Sequence, residues 1–321
     1  MKSTIAEAKI LGKYVHKNIL SLQQFDKKSL ELLFKTTNHI IEKCKHNKCP
    51  QTLAGNIITL LFFEPSSRTF SSFSSAIKRL GGQTIEYQNP MQTSSSAKGE
   101  SLNDTIRVFE SYSDLIIMRH HMVGMAKKAA EAARYVPIIN AGDGVGEHPT
   151  QALLDLFTIN EKFGTLNGLT GLIAGDLLNG RTAHSLMRGF SLYKNITLYL
   201  LSPQSLSLRR EFLNEFTTIT IKEIHSEKEI PKNCDFWYWT RIQKERFSDL
   251  KEYVKVKDSF ILTKKLLTDK GNKNMIIMHP LPRINEIDPE IDDDPRAYYF
   301  KQVRNGLFVR MALLSLVLGG S

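Results

Sequence analysis

Cysteine is scarce. Cys44, Cys49 and Cys234 are the only three in 321 residues, too few and odd in number for a disulfide-stapled secreted scaffold. Cys44 and Cys49 lack a second pair and a histidine cluster, which argues against zinc or any other metal site. A reducing, cytoplasmic setting is expected. No apolar run approaches the ~18 residues that would suggest a membrane span. The opening Met1-Lys2-Ser3-Thr4-Ile5-Ala6-Glu7 has no apolar segment of a secretory signal. Long Lys/Arg blocks and aromatic-interleaved basic motifs are also missing. The excess of 43 Lys+Arg over 33 Asp+Glu, a formal charge of +10, therefore points away from nucleic acid and towards an enzyme that gathers anionic substrates.

What is present is led by the stretch Leu60-Leu61-Phe62-Phe63-Glu64-Pro65-Ser66-Ser67-Arg68-Thr69-Phe70. Residues 57–63 are a β-type apolar run bounded by Pro65. A helical spacing follows in Phe70, Phe73, Ile77 and Leu80, and Gly81-Gly82 ends it. Ser66, Ser67, Arg68 and Thr69 fall in the turn between strand and helix. The first N–H groups of a helix lack intrahelical partners, and the dipole there is positive. Hydroxyls and a guanidinium at that point make an oxyanion pocket suited to phosphate. An ordinary Ser N-cap is the alternative, but a forked Arg inside the cap favours the anion.

The rest of the chain repeats the alternation. Helices are expected over about 25–48, 100–112, 123–134, 149–163, 181–193 and 297–318. Strands are expected over 83–87, 114–118, 136–139, 170–174, 196–201, 218–223, 235–240 and 275–278. Residues 140–148, with three glycines, read as a linker. The pattern predicts two doubly wound α/β domains, each a parallel sheet flanked by helices, with a C-terminal helix. The expected domains are 1–147 and 148–296, with 297–318 packing back on the first. Ligands of such sheets sit at the carboxyl ends of strands. Arg119, His148, Arg181, Arg241 with Gln243, and the segment His279-Pro280-Leu281-Pro282-Arg283 all fall there. Singly, each could be a cap or a surface charge; their joint placement makes them candidates. One rival is a P-loop. Gly175 to Thr182 has that spacing with Arg181 in place of Lys, but no apolar strand ends in a magnesium-binding Asp.

Phe62-Phe63-Glu64-Pro65-Ser66-Ser67-Arg68-Thr69 resembles the carbamoyl-phosphate motif of the transcarbamylase family, with Ser67 where Thr is usual. Lys98-Gly99-Glu100-Ser101, Met118-Arg119-His120, Asn140-Ala141-Gly142-Asp143-Gly144 and His148-Pro149-Thr150-Gln151 extend the likeness. So do Gly180-Arg181-Thr182, Thr240-Arg241-Ile242-Gln243-Lys244-Glu245-Arg246 and His279-Pro280-Leu281-Pro282-Arg283. The last two segments resemble the aspartate branch; the ornithine branch carries a His-Cys-Leu-Pro that is absent. The resemblance implies transfer of a carbamoyl group from carbamoyl phosphate to L-aspartate, an early step of pyrimidine synthesis, without cofactor, metal, nucleic acid or membrane. It implies phosphate binding by Ser66, Ser67, Arg68 and Thr69, with the carbamoyl group facing Arg119, His148, Thr69 and Gln151 and carbonyls near Pro280 and Leu281. It assigns the aspartate carboxylates to Arg181, Arg241 and Gln243, beside Leu281. It also implies a homotrimer whose neighbouring subunit supplies Ser94 and Lys98. Leu178 stands where a Lys is common, which removes one closure ion pair known in relatives.

Overall fold

The computed structural model describes residues 7–45, 48–89, 99–244, 247 and 249–319. The described residues form two compact units, one reaching Leu154 and resuming at Arg304, the other spanning Asp155–Val303.

The first unit holds four parallel strands: β1 (Ile57–Phe62), β2 (Gln83–Gln88), β3 (Leu115–His120) and β4 (Ile138–Asp143). Their order across the sheet is β2-β1-β3-β4. β3 and β4 are buried at every position: β3 is a central strand covered on both faces, and the outer edge of β4 is covered by the segment at Ile19, which bridges Ile139. The helices are α1 (Lys27–Lys45), α2 (Ser67–Arg79), α3 (Leu102–Glu110), α4 (Met125–Ala132) and the first turns of α5 (Pro149–Phe163). α2 buries Phe70, Phe73 and Ile77, the stripe expected from the sequence. The later part of the terminal helix α10 (Tyr299–Leu318) returns to this unit. There Arg310 donates to the Ser72 hydroxyl at 3.0 Å and lies over the Phe73 ring.

The second unit holds five parallel strands: β5 (Thr170–Ala174), β6 (Thr197–Leu201), β7 (Thr220–Ile224), β8 (Phe236–Trp239) and β9 (Ile276–Met278). Their order is β7-β6-β5-β8-β9. Its core gathers Trp237, Trp239, Leu172, Ile277 and Tyr299. α6 (Arg181–Phe190) follows β5. Three short helices, α7 (Arg210–Leu213), α8 (Leu250–Val256) and α9 (Lys264–Lys270), were not expected. α7 and α8 bury no residue, so they carry no apolar stripe for a pattern to reveal.

Two expectations are corrected. The first four residues of the stretch read as a linker are strand, because β4 continues through Asn140-Ala141-Gly142-Asp143, and the irregular connection is confined to residues 144–148. The glycine of β4 reflects a close approach rather than looseness, as the site shows below. Cys44 and Cys49 form a disulfide, with S–S 2.02 Å, where the scarcity of cysteine had argued against a stapled pair. No helix of the described residues is long and apolar enough to cross a membrane.

Candidate active site

In each sheet the strand order reverses once. In the first unit that switch lies between β1 and β3, where neighbouring connections leave in opposite directions and open a crevice. α2 starts directly beyond β1, placing Ser66 at its N-cap and Ser67, Arg68 and Thr69 in its first turn. The Ser66 hydroxyl makes no capping hydrogen bond. By contrast Ser101, at the N-cap of α3, accepts from the Asp104 N–H at 3.2 Å. Ser66 therefore does not behave as the ordinary cap that was the alternative reading.

Arg119 stands across the switch, in register with Phe62. It is buried, yet fully charged at any accessible pH, so the fold must compensate it. Nη1 donates to the Ala141 carbonyl at 3.1 Å, and Nη2 lies 2.8 Å from a Glu64 carboxylate oxygen. Gly142, at φ 130°, gives the guanidinium room: a Cβ there would sit 2.6 Å from Nη1. Next to it, Asp143 accepts from the Gly124 and Met125 N–H groups at 2.8 and 3.1 Å, so this motif carboxylate caps α4. His120 is buried beside His121, and that burial, with the neighbouring ring's charge, pushes its pKa down to about 4.

His148 is buried just ahead of Pro149, and its carbonyl accepts from the Gln151 N–H at 3.0 Å. One helical turn thus carries both residues beyond β4. The preceding Glu147 anchors that turn: the Ser21 hydroxyl donates to it at 2.7 Å and the Leu22 N–H at 3.0 Å. Glu64 and Glu147 had no role in the sequence reading. For Glu64 there was a signal, an acid closing an apolar strand just before a proline; for Glu147 there was none.

The second unit has its switch between β5 and β8. Arg181 is the first residue of α6 beyond β5, and Arg241 and Gln243 lie just beyond β8. Pro280 and Leu281 follow β9, with Leu281 at φ 51°. Arg283 of the same segment is structural: it pairs with Asp292 and lies over the Tyr299 ring. Ser94 and Lys98 lie outside the described residues.

The P-loop rival fails here. Asp176, fully buried, accepts from the Asn179 N–H at 2.9 Å, taking with a carboxylate a donor that a phosphate cradle would need. Gly175 is forced by contact, since a Cβ would lie 2.2 Å from the Thr240 carbonyl.

Two family models match, "Aspartate/ornithine carbamoyltransferase, carbamoyl-P binding domain" over residues 17–161 and "Asp/Orn binding domain" over 167–317. The chain belongs to the aspartate/ornithine carbamoyltransferase family. It is 44% identical over 305 residues to an aspartate carbamoyltransferase catalytic subunit of Hyperthermus butylicus, covering 94% of this chain and 96% of that one. It is 50% identical over 305 residues to the Dictyostelium discoideum multifunctional protein pyr1-3, covering 94% of this chain but spanning only 14% of that protein's length. The crystal structure of Trypanosoma cruzi aspartate transcarbamoylase in complex with carbamoyl phosphate and aspartate superposes with a TM-score of 0.89. It is 37% identical and covers 96% of this chain and 98% of that one. The family's two-sheet fold with a terminal helix is the fold seen here.

Proposed function

We infer that this carbamoyltransferase uses L-aspartate as acceptor, converting carbamoyl phosphate and aspartate to N-carbamoyl-L-aspartate and phosphate, an early step of pyrimidine synthesis. The observation that carries this reading is the paired switch points. One is furnished with hydroxyls, a helix N-terminus and Arg68; the other is flanked by Arg181 and Arg241. The first suits a phosphate dianion. The second suits two carboxylates, whose geometry matches arginine forks, and would repel the cationic side chain of ornithine.

In the reaction the aspartate amine attacks the carbamoyl carbon, the bond to the phosphate oxygen breaks, and the amine proton passes to the departing phosphate. Ser66, Ser67, Arg68 and Thr69 hold the phosphate. Thr69, Arg119 and His148 donate to the carbamoyl oxygen as it gains charge. Gln151 and the Pro280 and Leu281 carbonyls accept from the carbamoyl amino group. Arg181, Arg241 and Gln243 hold the aspartate carboxylates. Arg119 exchanges its Glu64 partner for the substrate oxygen. Catalysis then rests on orientation and placed charge, with no covalent intermediate. The resemblance adds a homotrimer in which Ser94 and Lys98 serve the neighbouring subunit's site.

Titration with N-(phosphonacetyl)-L-aspartate tests the reading. One molecule supplies both anions, so it should bind at least about a thousandfold more tightly than phosphate alone. Affinity no better than that of phosphate would contradict it.

A further inference from the structure

A chain of buried polar groups in the second unit has no part in the roles assigned so far. Tyr238, Asp155, Gln302, His279 and Glu286 are each at most 6% exposed. The Tyr238 hydroxyl donates to Asp155 at 2.8 Å, and the Gln302 amide donates to the other oxygen of Asp155 at 2.6 Å. The Gln302 carbonyl oxygen accepts from the His279 backbone N–H at 2.9 Å. His279 Nδ1 accepts from the Leu281 N–H at 2.8 Å. The ring proton is therefore on Nε2, which donates to Glu286 at 2.7 Å. The second Glu286 oxygen accepts from the Ile284 and Asn285 N–H groups at 3.0 and 3.2 Å.

The consequence for the turn at 280–285 is specific. Pro280 and Pro282 have no N–H to offer. The N–H groups of Leu281, Ile284 and Asn285 all point inward to the His279–Glu286 pair. Among the described residues neither the Pro280 nor the Leu281 carbonyl accepts a hydrogen bond. A turn with three of its four N–H donors held inside presents carbonyl acceptors at Pro280 and Leu281, and such a face selects a ligand carrying an N–H donor. Burial disfavours charge on His279, and its pKa is lowered accordingly. Burial opposes ionisation of Glu286 too, but the His279 N–H and the backbone donors outweigh it and hold its pKa down. The pair thus keeps one hydrogen-bond polarity.

We infer that His279 and Glu286, braced through Gln302 by Asp155 and Tyr238, are positioning residues that fix the Pro280 and Leu281 carbonyls as acceptors for the carbamoyl amino group. This rests on the function proposed above and adds what makes the site choose a carbamoyl over an acyl group. Acetyl phosphate is the probe, because it replaces the amino group by a methyl of similar size and keeps the phosphate. A site that needs a donor discriminates strongly against a ligand lacking one.

The test compares the KM for carbamoyl phosphate with the inhibition constants of acetyl phosphate and inorganic phosphate, in the full chain and in three variants. Glu286→Gln keeps the size but loses an acceptor for the Ile284 and Asn285 N–H groups. His279→Leu removes both ring contacts, and His279→Asn restores an acceptor near the Nδ1 position. The expected result is a preference for carbamoyl over acetyl phosphate that falls roughly tenfold in Glu286→Gln and His279→Leu. His279→Asn should recover most of it. Inorganic phosphate should bind all variants within about twofold of the parent chain, which also certifies folding; if His279→Leu does not fold, Glu286→Gln decides. An undiminished preference in Glu286→Gln would overturn the inference and leave the proposed function standing. A parent chain with no preference for carbamoyl phosphate would overturn the proposed function and this inference with it.

Discussion

Arg119 shows how single residues are made to serve the site. Burying a guanidinium is costly unless its charge is compensated, and here Glu64 and the Ala141 carbonyl take its two Nη groups while Gly142 leaves it room. His120, the next residue, shows the opposite treatment, a ring kept neutral by burial. Its folded pKa of about 4 lies below the ordinary 6.5. Between those values the unfolded chain binds a proton that the folded chain refuses, so stability is full above 6.5 and is lost as pH falls towards 4. His279, also lowered, adds in the same direction. Urea unfolding at pH 7.5 and pH 5 should show a lower midpoint at pH 5, and His120→Gln should shrink that difference. An equal drop in the variant would assign the acid sensitivity elsewhere. Placement that depends on neighbours in the chain was legible: Ser66 to Thr69 announce their position at a helix start by standing between an apolar strand and a helical pattern. Glu147 was not, because its partner Ser21 is 126 positions away, and no spacing rule connects such a pair.

At the level of elements, strand ends and helix starts do most of the placing. Pro149 and the apolar face of α5 marked that helix to the residue, and β5 was equally plain because Thr170–Ala174 is a short apolar run. β4 was not, because glycine and polar residues in Asn140-Ala141-Gly142-Asp143 imitate a loop. They belong to a strand whose side groups have special neighbours, Leu20 for Asn140, Arg119 at Gly142, and α4 for Asp143. Asp143 illustrates the cost of misreading: its carboxylate replaces the missing cap of α4, whose N-cap residue is Gly124. Asp143→Ala should destabilise the unit by about 1–2 kcal/mol through the lost cap. Thermal unfolding measures this, and a change below about 0.3 kcal/mol would mean that the cap is redundant, given that such caps usually contribute at least ~0.5 kcal/mol.

For the molecule as a whole, the alternation of strands and helices made both sheets and the position of each candidate at a strand end readable. What pattern could not supply was the polar network behind Pro280 and Leu281, since Gln302 and Asp155 are 147 positions apart. Sharing of sites between subunits is tested by mixing. Arg68→Ala removes a charge-assisted phosphate contact and should cut turnover roughly a hundredfold or more. If Lys98→Ala chains are likewise inactive, a refolded equal mixture of the two should have about a quarter of its sites intact in a cyclic trimer that donates Lys98 to a neighbour. Activity no higher than in the unmixed variants would confine Lys98 to its own chain.

The central claim is carbamoyl transfer to aspartate, and product analysis tests it most directly. The chain, supplied with carbamoyl phosphate and an equal mixture of L-aspartate and L-ornithine, should release phosphate and N-carbamoyl-L-aspartate in equal amounts and form no citrulline. Citrulline as the main product, or phosphate released without any carbamoyl amino acid, would contradict the account.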